Sequence, residues 1–205
     1  MLHPAPGTVF IVDDDEDFRD SLQWLLESAS LKVSGFASAQ TFLDAYDGTL
    51  GCLLLDVRMP EINGLALQQI LRMRGISLPT IVMTGHGDIP MAVSAMKNGA
   101  VDFIEKPFDD EVMLQLVNQA LTQAAKQQQA QAQNSQIHDS YAQLSRREKE
   151  VMALVVEGQS NREIAETLGI SPKTVEVHRS RVMGKMRAGS IAELVQQAAR
   201  LNPGA

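Results

Sequence analysis

A lone carboxylate, Asp56, closes the apolar run Leu53, Leu54, Leu55, and a turn sequence, Pro60 to Gly64, follows it. A short apolar run bounded by a turn reads as a buried strand of a parallel sheet. An acid at the exit of such a strand packs poorly but suits chemistry, because ligands gather at the carboxyl ends of parallel strands. Asp13, Asp14 and Asp15 follow a second run, Thr8 to Val12. Three adjacent carboxylates repel unless a cation or solvent offsets them. Taken alone they also read as the solvated acidic start of a helix. In the common five-stranded order, strands one and three are neighbours, which brings Asp13 and Asp14 close to Asp56. Such a cluster of hard oxygens suits Mg2+ better than zinc or copper. Thr84 and Lys106 close two further runs, and a hydroxyl and an ammonium at that edge are what a phosphoryl group on Asp56 would need. Singly, Thr84 reads as a strand-end cap and Lys106 as a solvated charge before a proline.

The elements that must position these residues alternate from residue 8 to about 124. The runs 8–12, 31–38, 52–56, 79–85 and 101–108 read as strands, each followed by a helical pattern. In the first helix Phe18, Leu22, Leu25 and Leu26 share one face, and Pro90 suits a first helical turn. Five such repeats predict an α/β fold, a doubly wound parallel sheet with helices on both faces. Residues 125–140 lie in a stretch (122–140) with seven Gln and four Ala; this predicts a linker, helical in its first half. From 141 to 205 no strand pattern appears, and four helices are expected, with serine N-caps and stops at Gly158 and Gly169.

Residues 160–186 have the helix, glycine turn, helix form of a DNA-binding helix-turn-helix. On its second helix Val175, His178, Val182 and Met186 form a stripe expected to be buried, His178 as a packed or capping residue. Residues 172–187 hold five bases and one acid; a solvated basic helix is the plain reading, a groove-entering helix the functional one. The expected DNA-contacting set is Lys173, Thr174, Glu176, Val177, Arg179, Ser180 and Arg181. Helical phase places Glu176, Val177 and Ser180 near base edges and Lys173, Arg179 and Arg181 on phosphates, with Glu176 able to accept from a cytosine amino group. Asn161 and Arg162 are candidates for phosphate contact from the preceding helix. On the last helix Ile191, Leu194, Val195 and Ala198 form a stripe that either packs internally or meets a second copy.

Composition agrees with this division. The net charge of −7 conceals −10 over residues 1–124 and +3 over 125–205, a hint of nucleic-acid contact at the second end. The single cysteine, Cys52, excludes a disulfide framework and reads as a small buried hydrophobe. No membrane span or signal peptide is evident, so a cytoplasmic location is expected.

The segments VDDDEDFR, LLLDVRMPEINGL, MTGHGD, MAVSAMKNGAVDFIEKPF and LSRREKEV through SNREIAETLGISPKTVEVHRSRVMGKM together resemble a FixJ-type two-component response regulator of the NarL/FixJ subfamily. The resemblance implies a CheY-like receiver at 1–124 and a LuxR-type helix-turn-helix domain at 141–205. It implies that Asp56 accepts a phosphoryl group from a sensor histidine kinase. Asp13, Asp14, Asp56 and the backbone carbonyl of Arg58 would hold Mg2+. Thr84 and Lys106 would sense the phosphoryl oxygens, and Phe103 would be the aromatic that turns inward. His86 reads first as a plain loop residue; the resemblance gives its position, as the alternative, a part in tuning phosphoryl lifetime. The implied partners are promoter DNA, RNA polymerase and a second copy of the chain on phosphorylation, with activation of transcription the usual result.

Two rivals remain at this level. An aspartyl phosphatase would place an acid two residues after its nucleophile; Arg58 occupies that position, so self-phosphorylation from a donor and slow self-hydrolysis are expected instead of enzymatic turnover. A constitutive DNA-binding protein would use its first domain only for docking, binding Mg2+ without taking up phosphoryl.

Overall fold

Strand pairing decides which side chains meet. The computed structural model describes residues 7–85 and 89–201; the N-terminal lead and His86 lie outside them. The chain divides into two compact units that meet between Gln128 and Gln129.

In the first unit β1 (Thr8–Val12), α1 (Glu16–Ser28), β2 (Lys32–Phe36), α2 (Ala39–Ala45), β3 (Gly51–Asp56), α3 (Gly64–Met73), β4 (Thr80–Thr84), α4 (Ile89–Lys97), β5 (Asp102–Glu105) and the first part of α5 (Asp110–Ala142) follow in order, the rest of α5 belonging to the second unit. The five strands form one parallel sheet in the order β2-β1-β3-β4-β5. Every residue of β3 and β4 is buried, which accounts for their unbroken apolar runs: both faces of a parallel sheet are covered by helices. Side chains alternate across the pleat. Val9, Ile11, Cys52, Leu54, Ile81 and Met83 pack with Leu22 and Leu26 of α1 and Met113, Val117 and Leu121 of α5. Phe10, Val12, Leu53 and Leu55 pack with Phe42 of α2 and Leu67 and Leu71 of α3. Two glycines are required by close backbone approach. A Cβ on Gly51 would collide with the Thr8 carbonyl, and one on Gly64 with the Asp56 carbonyl.

The register carries the site. Val12 lies opposite Leu55, Asp56 opposite Met83 and Thr84 opposite Glu105. Asp13, Asp56, Thr84 and Lys106 therefore reach the same edge of the sheet as a consequence of pairing alone.

The segment expected to be helical only in its first half is helical throughout, because α5 runs unbroken to Ala142. No Gly or Pro interrupts 110–142, and Ala and Gln favour helix. Its last turns are not an inert spacer: Ile137 and Tyr141 pack against the core of the second unit. That unit continues with α6 (Arg146–Val156), α7 (Asn161–Leu168), α8 (Pro172–Met186) and α9 (Ile191–Leu201). Ser145, Ser160 and Ser171 cap α6, α7 and α8, the first two in reciprocal capping boxes with Glu148 and Glu163. Gly169 ends α7 in the left-handed conformation at φ +64°. Val151, Met152, Val155, Ile164, Val175, Val182, Met186 and Leu194 form the core. Three of the four stripe residues of α8 are thus buried, and His178 is half-buried with an unpartnered Nδ1.

Candidate functional site

At the sheet edge Lys106 Nζ donates to Asp13 Oδ2 at 2.6 Å and to Asp56 Oδ1 at 2.7 Å. One ammonium therefore bridges two carboxylates that lie 43 residues apart in sequence. The other oxygens are also engaged: Asp13 Oδ1 accepts from the Asp15 N–H at 3.0 Å and Asp56 Oδ2 from the Arg58 N–H at 2.6 Å. Arg19 Nη1 donates to the Asp13 carbonyl at 2.8 Å, fixing the loop between β1 and α1. Lys106 also lies 3.9 Å from the centroid of the Phe18 ring, so its inner side rests on an aromatic face.

These neighbours set the charges. Burial opposes the Lys106 ammonium, but its hydrogen bonds and charge contacts with Asp13 and Asp56 outweigh that and raise its pKa above the ordinary lysine value. Burial likewise raises the Asp13 carboxyl, and Lys106 offsets this only in part. The formal sum of two carboxylates and one ammonium is negative, and the converging atoms other than Lys106 Nζ are oxygens or backbone N–H groups.

The remaining expected residues are distributed as follows. Asp14 is exposed, and among the described residues no three carboxylate, imidazole or thiol side chains converge to hold a metal. Thr84 is buried at the same edge, but its hydroxyl donates to the Gly85 carbonyl at 2.8 Å. Phe103 is 46% exposed and borders an apolar hollow with Ala92, Val93 and Met96 of α4. The backbone N–H of Arg58 is a direct partner of Asp56, a role the side-chain pattern does not reveal. Nor does it reveal Phe18 and Arg19 as supports. Gly64 was legible as a turn residue, but its closeness to Asp56 is not.

On the second unit Lys173, Thr174, Glu176, Val177, Ser180 and Arg181 are all exposed. Lys173 and Glu176 pair at 3.0 Å on the exposed surface, an interaction weak enough to yield to a ligand. Arg179 is different: it is half-buried, and its Nη1 donates to Asn161 Oδ1 at 2.8 Å, tying α8 to the start of α7. Arg162 is exposed beside Glu166. On α9 Leu194 is buried, whereas Ile191 and Val195 are exposed.

A doubly wound sheet with an acidic pocket at its carboxyl edge, followed by a capped helix-turn-helix, defines a two-domain regulatory protein. Residues 9–118 match the response regulator receiver domain, and residues 142–198 match the bacterial regulatory proteins of the LuxR family. The chain belongs to the response regulators that join a receiver to a LuxR-type DNA-binding domain. It is 49% identical to the transcriptional regulatory protein FixJ of Azorhizobium caulinodans, over 95% of this chain and 93% of that one. It is 48% identical to the transcriptional regulatory protein TdiR of Thauera aromatica, over 92% and 84%. The solved structure of the response regulator StyR superposes with a TM-score of 0.84 at 41% identity, covering 94% of this chain and 98% of that one. Among the described residues no helix is long and apolar enough to cross a membrane.

Proposed function

We propose that this response regulator is a phosphorylation-switched transcription factor in which Asp56 takes a phosphoryl group from a sensor histidine kinase. The observation that carries the reading is the sharing of one ammonium, Lys106, between Asp13 and Asp56. A carboxylate oxygen of Asp56 attacks phosphorus as the bond from phosphorus to the kinase imidazole breaks. The phosphoryl adds about −1.5 to −2 charge to a pocket that is already negative. Lys106 remains charged throughout, since its pKa is raised, and stays within reach of the new oxygens. Thr84 turns its hydroxyl from the Gly85 carbonyl toward them.

The all-oxygen donor set fits Mg2+: Asp13, Asp14, Asp56 and the carbonyl of Arg58 would hold it. When bound, the ion supplies the positive charge that the pocket lacks. The bland reading of the acids, a solvated helix start, accounts for Asp15, whose side chain accepts from the Phe18 N–H, but not for buried Asp13.

Exposed Val93, Met96, Phe103 and Val112 on α4, β5 and α5 support a surface that pairs two copies once Phe103 turns inward. Dimerisation then presents two α8 helices to promoter DNA, with RNA polymerase as the downstream partner and activation as the result. Converting a mostly-off to a mostly-on population takes about 5.5 kcal/mol of differential stabilisation. The protein acts in the cytoplasm, as a phosphoacceptor with slow self-hydrolysis.

The test is intact mass and oligomeric state after incubation with acetyl phosphate and Mg2+. The wild type should gain one phosphoryl and dimerise, whereas Asp56→Asn should stay folded and do neither. Equal activation of transcription by Asp56→Asn under inducing conditions would overturn the switch.

A further inference from the structure

Five basic residues between 172 and 187 read in the sequence as one groove-facing charge, and the structure separates them. Lys173 and Arg181 are exposed on α8. Lys185 instead turns onto Glu148, which is 3% exposed in the first turn of α6. Glu148 Oε2 accepts from Lys185 Nζ at 2.7 Å and from the Ser145 N–H at 2.7 Å. The same ammonium donates to the Gln143 carbonyl at 3.2 Å. A cation in the last turn of α8 and an anion in the first turn of α6 also lie at the favourable end of each helix dipole. The Lys185 hydrogen bond, followed by the Ser145 backbone, holds the Glu148 carboxyl down to about 2, so Glu148 is ionised at neutral pH.

We infer that Lys185 is a positioning residue for DNA reading and not a phosphate contact: with Glu148 it fixes the C-terminal end of α8. This deepens the DNA-binding assignment and rests on α8 being the helix that enters the groove. The physical reason is leverage. Fifteen helical residues span about 22 Å, and a hydrogen bond to a base edge tolerates only a few tenths of an ångström. The N-terminal part of α8 is held by Val175 in the core and by Arg179 on Asn161. The C-terminal part is held by Met186 and by the Lys185 pair. Releasing the second anchor changes the direction in which Glu176, Val177, Ser180 and Arg181 are presented, without removing any of them.

The experiment uses the full chain, phosphorylated with acetyl phosphate and Mg2+ and checked by intact mass, and two probes: random-sequence duplex DNA, and a duplex selected from a randomised pool by the phosphorylated wild type. Affinities are measured across a range of salt at a temperature where circular dichroism shows every variant folded. Glu148→Gln is the decisive variant, because Gln retains the capping box and loses only the ion pair. If charge alone mattered, removing this acid would strengthen binding to both probes. Positioning has the opposite sign on the selected duplex: binding weakens by about tenfold, the scale of one lost base contact, while random-sequence binding holds.

Lys185→Met should reproduce that selective loss with the salt slope of the wild type, whereas loss of a phosphate contact would lower the slope by about 0.9. The double variant should be no worse than either single one, since both break the same pair. Lys185→Arg, which keeps charge and reach, should retain most of the selective binding and serves in place of Lys185→Met if that variant does not fold. A reduced salt slope with equal loss on both probes, or selected-duplex binding by Glu148→Gln as tight as the wild type, would overturn the proposal. Failure of the wild type to bind either probe would instead overturn the DNA-entering role of α8 and the positioning role with it.

Discussion

Lys106 faces two carboxylates, and Lys185 faces one. Both are partly buried, and both make hydrogen bonds of 2.6 to 2.7 Å. At Lys185 the charges balance, a helix cap completes the acceptor shell of Glu148, and the result is a fixed joint. At Lys106 the balance fails: one ammonium serves Asp13 and Asp56, and the pocket retains negative charge. The same pair of functional groups is thus structural where it is complete and open to chemistry where it is one cation short. Burial raises both carboxyls, but it prevails at Asp13, whereas at Glu148 the hydrogen bonds from Lys185 and the Ser145 backbone outweigh it. Asp13 is raised above its ordinary pKa, whereas Glu148 is held near 2.

The contrast is sharpest if the shared lysine is removed. Lys106→Met leaves two buried carboxylates facing each other and should cost the first unit about 2 kcal/mol, below the 3–5 kcal/mol of a fully buried pair. Added Mg2+ should restore more of the thermal midpoint in this variant than in the wild type. A midpoint insensitive to the substitution would show that Lys106 does not hold the acids together.

Ile137→Ala tests whether the end of α5 belongs to the second unit. Ile137 is partly buried in that core, so the loss should be about 1 to 2 kcal/mol, less than for a fully buried Ile. The second unit alone should lose stability in denaturant melts. A loss confined to the first unit would contradict the packing described.

Acid titration separates the two carboxylates by sign. Glu148 has a folded pKa of about 2 against an ordinary 4.5. Its contribution is therefore complete above about pH 4.5 and is lost as pH falls toward 2, and Glu148→Gln should flatten that limb. Asp13 is the reverse, with a folded pKa above 3.8. Ionised Asp13 costs stability at neutral pH, so Asp13→Asn should raise the midpoint there, and the advantage should shrink as pH falls through the raised pKa. The same sign for both variants would refute the comparison.

The smallest effect on stability belongs to Lys173→Ala. Its pair with Glu176 is exposed, so the fold should change by less than about 0.5 kcal/mol. DNA binding should weaken on any sequence, with the salt slope reduced by about 0.9.

Local pattern determined a great deal of this molecule. Apolar runs ending in Asp, Thr and Lys marked the strands and the edge of the sheet where Asp13, Asp56, Thr84 and Lys106 would meet. Those marks are legible because strand exits and helix caps depend on residues close in sequence. Ser145, Ser160, Ser171 and Gly169 announce their roles for the same reason. Partnership across the fold was not legible. That Lys106 contacts both Asp13 and Asp56 follows from strand order and register. That Arg179 is engaged by Asn161 and Lys185 by Glu148, while Lys173 and Arg181 face solvent, follows from how three helices pack. Helical phase assigns a side chain to a face, but a long flexible base reaches across that face to whatever acid or amide the tertiary structure brings near. Composition likewise predicts helix in the Gln- and Ala-rich segment without predicting that Ile137 and Tyr141 enter a core, since burial depends on what is packed opposite them. Residue type and spacing by themselves determined the fold class and which polar groups stand at the sheet edge; tertiary structure alone decided which of those charges are matched and which are not, because matching depends on strand register and helix packing.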